Sequence, residues 1–344
     1  MARRVLLRIV IVIVCVIGIS GYLAVQWMLV PFVPSSPTFS TSSGKIIDIP
    51  DGATFRQVAA LLEKERVIAS RWGFLLLGKL TSADRRIIPG EYELHGGMRP
   101  HEILARLLNG QVVRHQVTIP EGYTMVQIAD LLGQKGLVDS KEFLALTNDR
   151  DFILTTFHLD LPSLEGYLFP DTYFIPRHTK AKDIVAMMVE GLWRGFTPEM
   201  RERAKAINMS VHQVLTLASV IEKETGSAEE RELVSSVFHN RLRKRIPLQS
   251  DPTVIYGISD FDGNLRKRDL KKVTPYNTYR IAGLPPGPIA SPGGHAIRAA
   301  LYPPPTTYLY FVSKNNGSHH FSSTLAEHNM AVEKYQRRQI KRAS

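Results

Sequence analysis

At 344 residues, with 44% hydrophobic and 22% charged residues, the chain has the composition of a folded protein and is long enough for two or three domains. Its single cysteine, Cys15, excludes an intramolecular disulfide and a cysteine metal site in the rest of the chain. The net charge of +11 is compatible with a polyanionic partner. Whether that partner is nucleic acid, lipid or an envelope polymer depends on the membrane topology.

An almost purely apolar stretch predicts a transmembrane helix over residues 9–30. The alternative is a cleaved signal peptide, whose apolar region is about 7–15 residues long and ends at a small-residue cleavage site. This run is longer and lacks such a site. Three arginines precede it, so the positive-inside bias places residues 1–8 in the cytoplasm and the rest outside. We therefore expect a single-pass protein of the inner membrane that contacts lipid headgroups or an acidic envelope polymer, and no nucleic acid.

Residues 31–44 are rich in Ser, Thr and Pro and predict a flexible linker. An internal repeat follows within residues 45–160. Ile49-Pro50-Asp51-Gly52 recurs 70 positions later as Ile119-Pro120-Glu121-Gly122. The same offset relates Thr54 to Thr124, Gln57 to Gln127 and Leu61 to Leu131. Each copy predicts a short strand, a turn, a Thr cap and an amphipathic helix, hence a duplicated α+β unit.

Residues 161–344 predict a mixed α+β domain, so the expected fold class is α+β throughout. Helices are predicted at residues 181–193, 198–206, 212–225, 229–243, 296–301 and 323–342, and a strand at 307–312. Residues 163–176 are dense in aromatics and contain two prolines, which favours a loop or an edge strand.

Two glutamates interrupt the apolar pattern of the helix predicted at 212–225. At about 100° per residue, Glu222 and Glu224 fall on opposite flanks of the apolar stripe. A carboxyl pressed against apolar groups has a raised pKa and can hold a proton as a general acid. Solvated flank residues that stabilise the helix are the alternative. Helix geometry alone does not show which of the two glutamates is the general acid.

Other catalytic patterns are missing from the sequence. It has no His-Glu-x-x-His, no Walker phosphate loop and no Gly-x-Ser-x-Gly elbow. His319, His320 and His328 lack matching carboxylate spacing, so we expect no metal site. Amides, hydroxyls and aromatic rings gather instead in four segments, at residues 238–242, 248–257, 275–279 and 283–289. Such groups suit a polysaccharide, although each segment could equally form turns.

At these residues the chain resembles the MltG (YceG-like) family of endolytic murein transglycosylases. The resemblance covers the N-terminal span, a LysM-like region after it, Glu165–Tyr173, and nearly everything from Leu217 to Asn329. It implies a lyase that cuts the MurNAc-GlcNAc bond of nascent peptidoglycan strands, leaves 1,6-anhydroMurNAc ends and so terminates elongation. It also implies no cofactor, and association with penicillin-binding synthases. The LysM-like repeat would either bind glycan or act as a spacer.

The resemblance assigns the catalytic glutamate to the first of the Glu-Lys-Glu-Thr motif, Glu222. Protonated, it would donate to the glycosidic oxygen and then, as a carboxylate, take the proton of the muramoyl 6-hydroxyl. Because the nucleophile is intramolecular, one acid is enough. Glu224 would be structural or would raise the pKa of Glu222. The residues expected to hold the sugars are Gln249, Asp251, Asn277 and Tyr279.

Two other functions stay open. One is a non-catalytic peptidoglycan-binding scaffold, and the other a hydrolytic muramidase that uses Glu222 with Asp251 as second carboxylate. The basic run Arg243-Lys244-Arg245 departs from the family pattern, in which a small or apolar residue is usual. This departure affects how the expected substrate-binding cleft contacts peptide stems or an anionic polymer.

Overall fold

The structure is a computed structural model that describes residues 11–22, 44–83 and 87–337. The strands are β1 (Lys45–Ile49), β2 (Gly90–Leu94), β3 (Arg114–Thr118), β4 (Thr172–Pro176), β5 (Tyr310–Ser313) and β6 (His319–Ser322). The helices of the first half are α1 (Phe55–Lys64), α2 (Arg71–Leu80), α3 (Pro100–Leu108), α4 (Met125–Gln134), α5 (Ser140–Thr147) and α6 (Arg150–Phe157). Those of the second half are α7 (Ala181–Gly195), α8 (Pro198–Ala206), α9 (Val211–Glu224), α10 (Arg231–Arg243), α11 (Asp251–Tyr256), α12 (Gly294–Leu301) and α13 (Leu325–Val332). The α+β class is confirmed.

The prediction of an N-terminal transmembrane helix is wrong. A helix covers residues 11–22, which is well short of the ~20 apolar residues needed to span a bilayer. Across the described ranges, no helix is both long enough and apolar enough to cross a membrane. The rest of the predicted span, the N-terminal residues 1–8 and the linker up to residue 43 lie outside the described residues.

One compact unit contains the described residues up to His115 together with Phe174–Thr179. Its sheet pairs β1 with β2 antiparallel, with Ile47 opposite Tyr92. Helix α1 begins at Thr54, whose side chain accepts from the Gln57 N–H while the Gln57 side chain accepts from the Thr54 N–H. Helices α1 to α3 close the core over the sheet. The core residues include Ile47, Ile49, Val58, Leu62, Phe74, Tyr92, Leu94, Ile103 and Leu107.

The second compact unit contains Gln116–Tyr173 and the described residues from Lys180 onward. It begins with the second repeat copy, where Thr124 and Gln127 form the same reciprocal cap at the start of α4. The turn before that cap is fixed by backbone bonds. The Gly122 N–H donates to the Ser291 carbonyl and the Ser291 N–H to the Tyr123 carbonyl, each at 2.8 Å. The repeat therefore packs directly on the segment that precedes α12.

Helix α9 lies at the centre of the second unit and packs against α10 and α12. Ser210 caps its start by accepting from the Gln213 N–H. Residues 214 to 221 of α9 are all buried. Beside this helical core, β5 and β6 pair antiparallel with Phe311 opposite Phe321, and α13 packs on them. The last turn of α9 thus leaves the core close to this small sheet.

Candidate active site

The last turn of α9 carries the two glutamates that the sequence singled out, and their surroundings differ. The side chain of Glu222 is only 7% exposed. Its Oε2 accepts from the Gly293 N–H at 3.0 Å, and its Oε1 lies 3.4 Å from Nη2 of Arg231, which is 8% exposed. Burial raises the pKa of Glu222, while the Gly293 N–H and the Arg231 charge oppose that rise. Both oxygens of Glu222 are therefore engaged by the protein itself.

Glu224 lies on the other flank and lines a polar cavity of about 350 Å³. The Ser250 hydroxyl donates to its Oε1. Burial raises the pKa of Glu224 to about 7, with the nearby Asp251 charge acting in the same direction and the Ser250 hydrogen bond against it. A carboxyl with this pKa is substantially protonated near neutral pH, which is the state of a general acid.

Three of the four predicted sugar-binding residues lie in the cavity with Glu224. These are Gln249, Asp251 and Tyr279. The Tyr279 hydroxyl donates to Oδ1 of Asp251 at 2.6 Å, and an Arg241 N–H donates to Oε1 of Gln249 at 3.2 Å. Gln249 has a backbone φ of +53°, in the left-handed region that non-glycine residues rarely occupy.

Asn277, the fourth predicted residue, is fully buried and does not line the cavity. Its Nδ2 donates to the carbonyls of Leu270 and Lys272 at 3.2 and 2.6 Å, and its Oδ1 accepts from the Tyr279 N–H at 3.0 Å. In the structure it shapes the loop that presents Tyr279 to the cavity.

The structure adds Arg241, His319 and His328 to the cavity wall. Arg241 is 7% exposed and donates to the carbonyls of Leu309 and Leu248 at 2.7 and 3.0 Å. In the sequence it stands two residues before the basic run Arg243-Lys244-Arg245, and no pattern marks it as buried. His319 was considered only as a metal ligand. Its partner Glu230 is 89 positions away, so no local pattern connects the two.

A metal centre has no support in the described part of the chain. No group of three or more His, Cys, Asp or Glu side chains there is arranged to hold an ion. The polar groups of the cavity are a carboxyl group with a pKa near 7, a second carboxylate, a guanidinium, two amides, a phenol, a serine hydroxyl and two imidazoles.

A carboxyl group with a raised pKa beside amide, phenol and imidazole groups in one cavity is the arrangement expected of an enzyme that uses acid catalysis on a hydroxyl-rich substrate. Comparison with known protein families identifies the chain more closely. The chain belongs to the YceG-like family, whose model matches residues 47–334. The family resemblance seen in the sequence is confirmed.

Named relatives and a solved structure agree with this family. The chain is 37% identical over 305 residues to an endolytic murein transglycosylase of Bacillus subtilis, covering 84% of each protein. It is 30% identical over 346 positions to an endolytic murein transglycosylase of Streptococcus pneumoniae strain D39, covering 92% of this chain and 62% of that one. A crystal structure of a YceG-like protein from Listeria monocytogenes is 33% identical, with a TM-score of 0.59, covering 84% of this chain and 98% of that one.

Proposed function

We propose that this chain is an endolytic murein transglycosylase, a lyase that cuts the MurNAc-GlcNAc bond within peptidoglycan strands. Membership of the YceG-like family and the names of its relatives support the reaction class. The observation that carries the proposal is the cavity in which Glu224, with a pKa near 7, adjoins Gln249, Asp251 and Tyr279.

The proposed acid is Glu224, in place of the Glu222 to which the sequence resemblance pointed. An acid that attacks a bound strand must reach the glycosidic oxygen, and Glu224 lines the cavity whereas Glu222 does not. Glu222 is held by the Gly293 N–H and the Arg231 guanidinium, and the role proposed for it is to fix the end of α9. The two roles are thus the reverse of those expected from the sequence.

The proposed reaction begins with the proton on Glu224. It passes to the glycosidic oxygen as the bond from C1 of MurNAc to O4 of GlcNAc breaks. The 6-hydroxyl oxygen of the same MurNAc then closes on C1, and its proton passes to a basic side chain of the cavity, giving a 1,6-anhydro end. No water enters the product, because the nucleophile already belongs to the substrate and benefits from a high effective concentration.

The polar groups around Glu224 supply the sugar contacts in this proposal. Asp251 and Gln249 present oxygens to sugar hydroxyls, and the Tyr279 ring offers an apolar face. Arg241 fixes Gln249 through an N–H to Oε1 bond. This wall of fixed hydrogen-bonding groups favours a hydroxyl-rich polymer over an apolar ligand.

Mass spectrometry of the products from purified glycan strands tests the reaction type. The full chain should give anhydro-ended fragments of intermediate length, because an endolytic enzyme cuts within the strand. Hydrated reducing ends would show a hydrolase, and only terminal disaccharides would show an exolytic enzyme. Strand binding without any new ends would support a scaffold.

The hydrolytic muramidase is the second candidate, and one observation favours it. Asp251 lies in the same cavity as Glu224, so two carboxyl groups are available, as in ordinary glycosidases. Asp251 already accepts from Tyr279, which suits sugar binding better than activation of water. Reducing ends that vanish in the Asp251→Asn variant would favour the muramidase.

The site of action proposed is the cell wall, outside the cytoplasmic membrane, where nascent strands are made and where each cut would end elongation. Association with penicillin-binding synthases is the finer part of this proposal and is supported by the family resemblance. Cross-linking in intact cells followed by affinity purification of the full chain tests it. Recovery of the synthases from cells expressing the chain, and not from cells lacking it, is the expected result.

A further inference from the structure

A second protonatable side chain, His319, lines the cavity that holds Glu224. It lies on β6, and its side chain is 16% exposed. Two aromatic rings flank the imidazole, that of Phe311 at 5.5 Å and 87° and that of Phe321 at 6.5 Å and 62°. These contacts restrict the ring to one orientation at the cavity wall.

Glu230 fixes that orientation from the start of α10. Its Oε1 accepts from the His319 backbone N–H at 2.8 Å, and its Oε2 lies 2.7 Å from Nδ1 of the ring. Because a carboxylate can only accept, Nδ1 carries the hydrogen, and in the neutral ring Nε2 is left with a lone pair. Nε2 has no hydrogen-bond partner among the described residues. A carboxylate that holds Nδ1–H while Nε2 acts is the arrangement by which enzymes orient a general base.

We propose that His319 is a catalytic base for the muramoyl 6-hydroxyl and that Glu230 is its positioning residue. This inference rests on the proposed function, since it assigns the second proton transfer of that reaction. The Glu224 proton goes to O4 of GlcNAc as the C1–O4 bond breaks. The C1–O6 bond forms as the O6 proton goes to Nε2. Glu224 then regains a proton and His319 loses one through solvent, so the cycle closes without a co-reactant.

There is a physical reason for assigning the two proton transfers to two different side chains. A single carboxyl must otherwise donate a proton at O4 and collect another at O6 in one turnover. Two groups on different parts of the cavity wall can each lie next to one of these oxygens, one at O4 and the other at O6. The charged and titratable groups that face or hold His319 are Glu224, Glu230, Arg241, Asp251, Tyr279 and His328.

The test compares the full chain with its His319→Gln variant, with His320→Gln as matched control. His320 is the next residue, packs against Tyr335 and does not line the cavity. We expect His319→Gln to lower kcat for anhydro-end formation by about 10²-fold or more and to change the shape of its pH profile. His320→Gln should leave both unchanged.

Glu230→Gln provides a second variant should His319→Gln fail to fold. It keeps an acceptor for the backbone N–H and weakens the control of the ring, so we expect a lower kcat, an altered pH profile and little change in KM. Wild-type kinetics in both variants, or a slower rate with an unchanged pH profile, would overturn the proposal and leave Glu224 with both proton transfers. A wild-type chain that forms no anhydro ends would refute the proposed function instead.

Discussion

The Ser250 hydroxyl donates a hydrogen bond to Oε1 of Glu224 and so joins the end of α9 to the residue that precedes α11. Ser250 is 1% exposed, and its backbone N–H donates to the Thr278 hydroxyl at 3.0 Å. One buried serine therefore holds the proposed acid against both segments that carry the predicted sugar-binding residues. The position of Glu224 depends on this contact more than on α9 alone.

Removing that hydroxyl should shift the pH profile of the reaction. The wild-type rate should fall as the pH rises through about 7, because Glu224 must be protonated to act as the acid. The Ser250 bond lowers the pKa of Glu224, so Ser250→Ala should move this alkaline limb to higher pH. Ser236→Ala is the control, since Ser236 bonds to Thr306 and does not line the cavity. If the alkaline limb of Ser250→Ala lies at the same pH as that of the wild type, the assignment of Glu224 as the acid is contradicted.

Glu165 should make folding stability depend on pH. It is 5% exposed and accepts from the Met125 N–H at 3.1 Å and the Tyr256 hydroxyl at 3.2 Å. Burial raises its pKa from 4.5 to about 7, so the folded state binds this proton more tightly than the unfolded state. The resulting stabilisation is fully present below about pH 4.5 and is lost as the pH rises through about 7.

Urea denaturation at pH 5 and pH 8 measures this effect. The wild-type free energy of unfolding should drop between the two values, with Glu165 contributing on the order of 3 kcal/mol. Glu165→Gln keeps one acceptor oxygen, replaces the other with an amide donor and removes the titration, so its drop should be smaller by that amount. An equal drop in both proteins would show that Glu165 does not carry the dependence.

Gly166 should tolerate no side chain. Its φ is +78°, and a Cβ there would lie 2.3 Å from Cβ of Pro288. Gly166→Ala should cost about 1–2 kcal/mol for the left-handed backbone and about 1–3 kcal/mol more for overpacking. Gly263 has a φ of +91° and open space around it, so Gly263→Ala should cost the backbone part alone. Equal melting temperatures for the two variants would contradict this account.

A variant of Asn277 should mainly lower stability, and a variant of Tyr279 should mainly lower activity. Asn277→Ala leaves the partly buried carbonyls of Leu270 and Lys272 without their donor, and should lower the free energy of unfolding by about 1–3 kcal/mol. Tyr279→Phe removes the bond to Asp251 at the cavity and should raise KM for glycan strands with little change in stability. Thermal unfolding and strand-cleavage kinetics of both variants test the pair. The reverse pattern would place Asn277 at the substrate.

The sequence predicted those elements whose signals are local. Helix α8 is found as predicted, and α7, α9 and α10 lie within two residues of their predicted ends, because capping residues and apolar periodicity mark them. Helix α11 was missed. A turn was the structural alternative for the segment at residues 248–257, whereas Pro252 occupies the first turn of a helix.

The remaining differences arise from tertiary structure. Glu222 and Glu224 are alike on a helical wheel, and only the packing of Arg231 against one and the cavity beside the other distinguishes them. Arg241 has no sequence signal of burial, but it is buried and donates to the carbonyls of Leu309, just before β5, and of Leu248, before α11. The N-terminal apolar run predicted a span by hydropathy, and the described helix there is too short.

The measurement that tests the central claim most directly is product analysis by mass spectrometry for the Glu224→Gln and Glu222→Gln variants, with circular dichroism to show that both are folded. We expect anhydro ends to vanish in Glu224→Gln and to persist in Glu222→Gln. Anhydro ends that persist in Glu224→Gln and vanish in Glu222→Gln would contradict the assignment of the acid to the cavity.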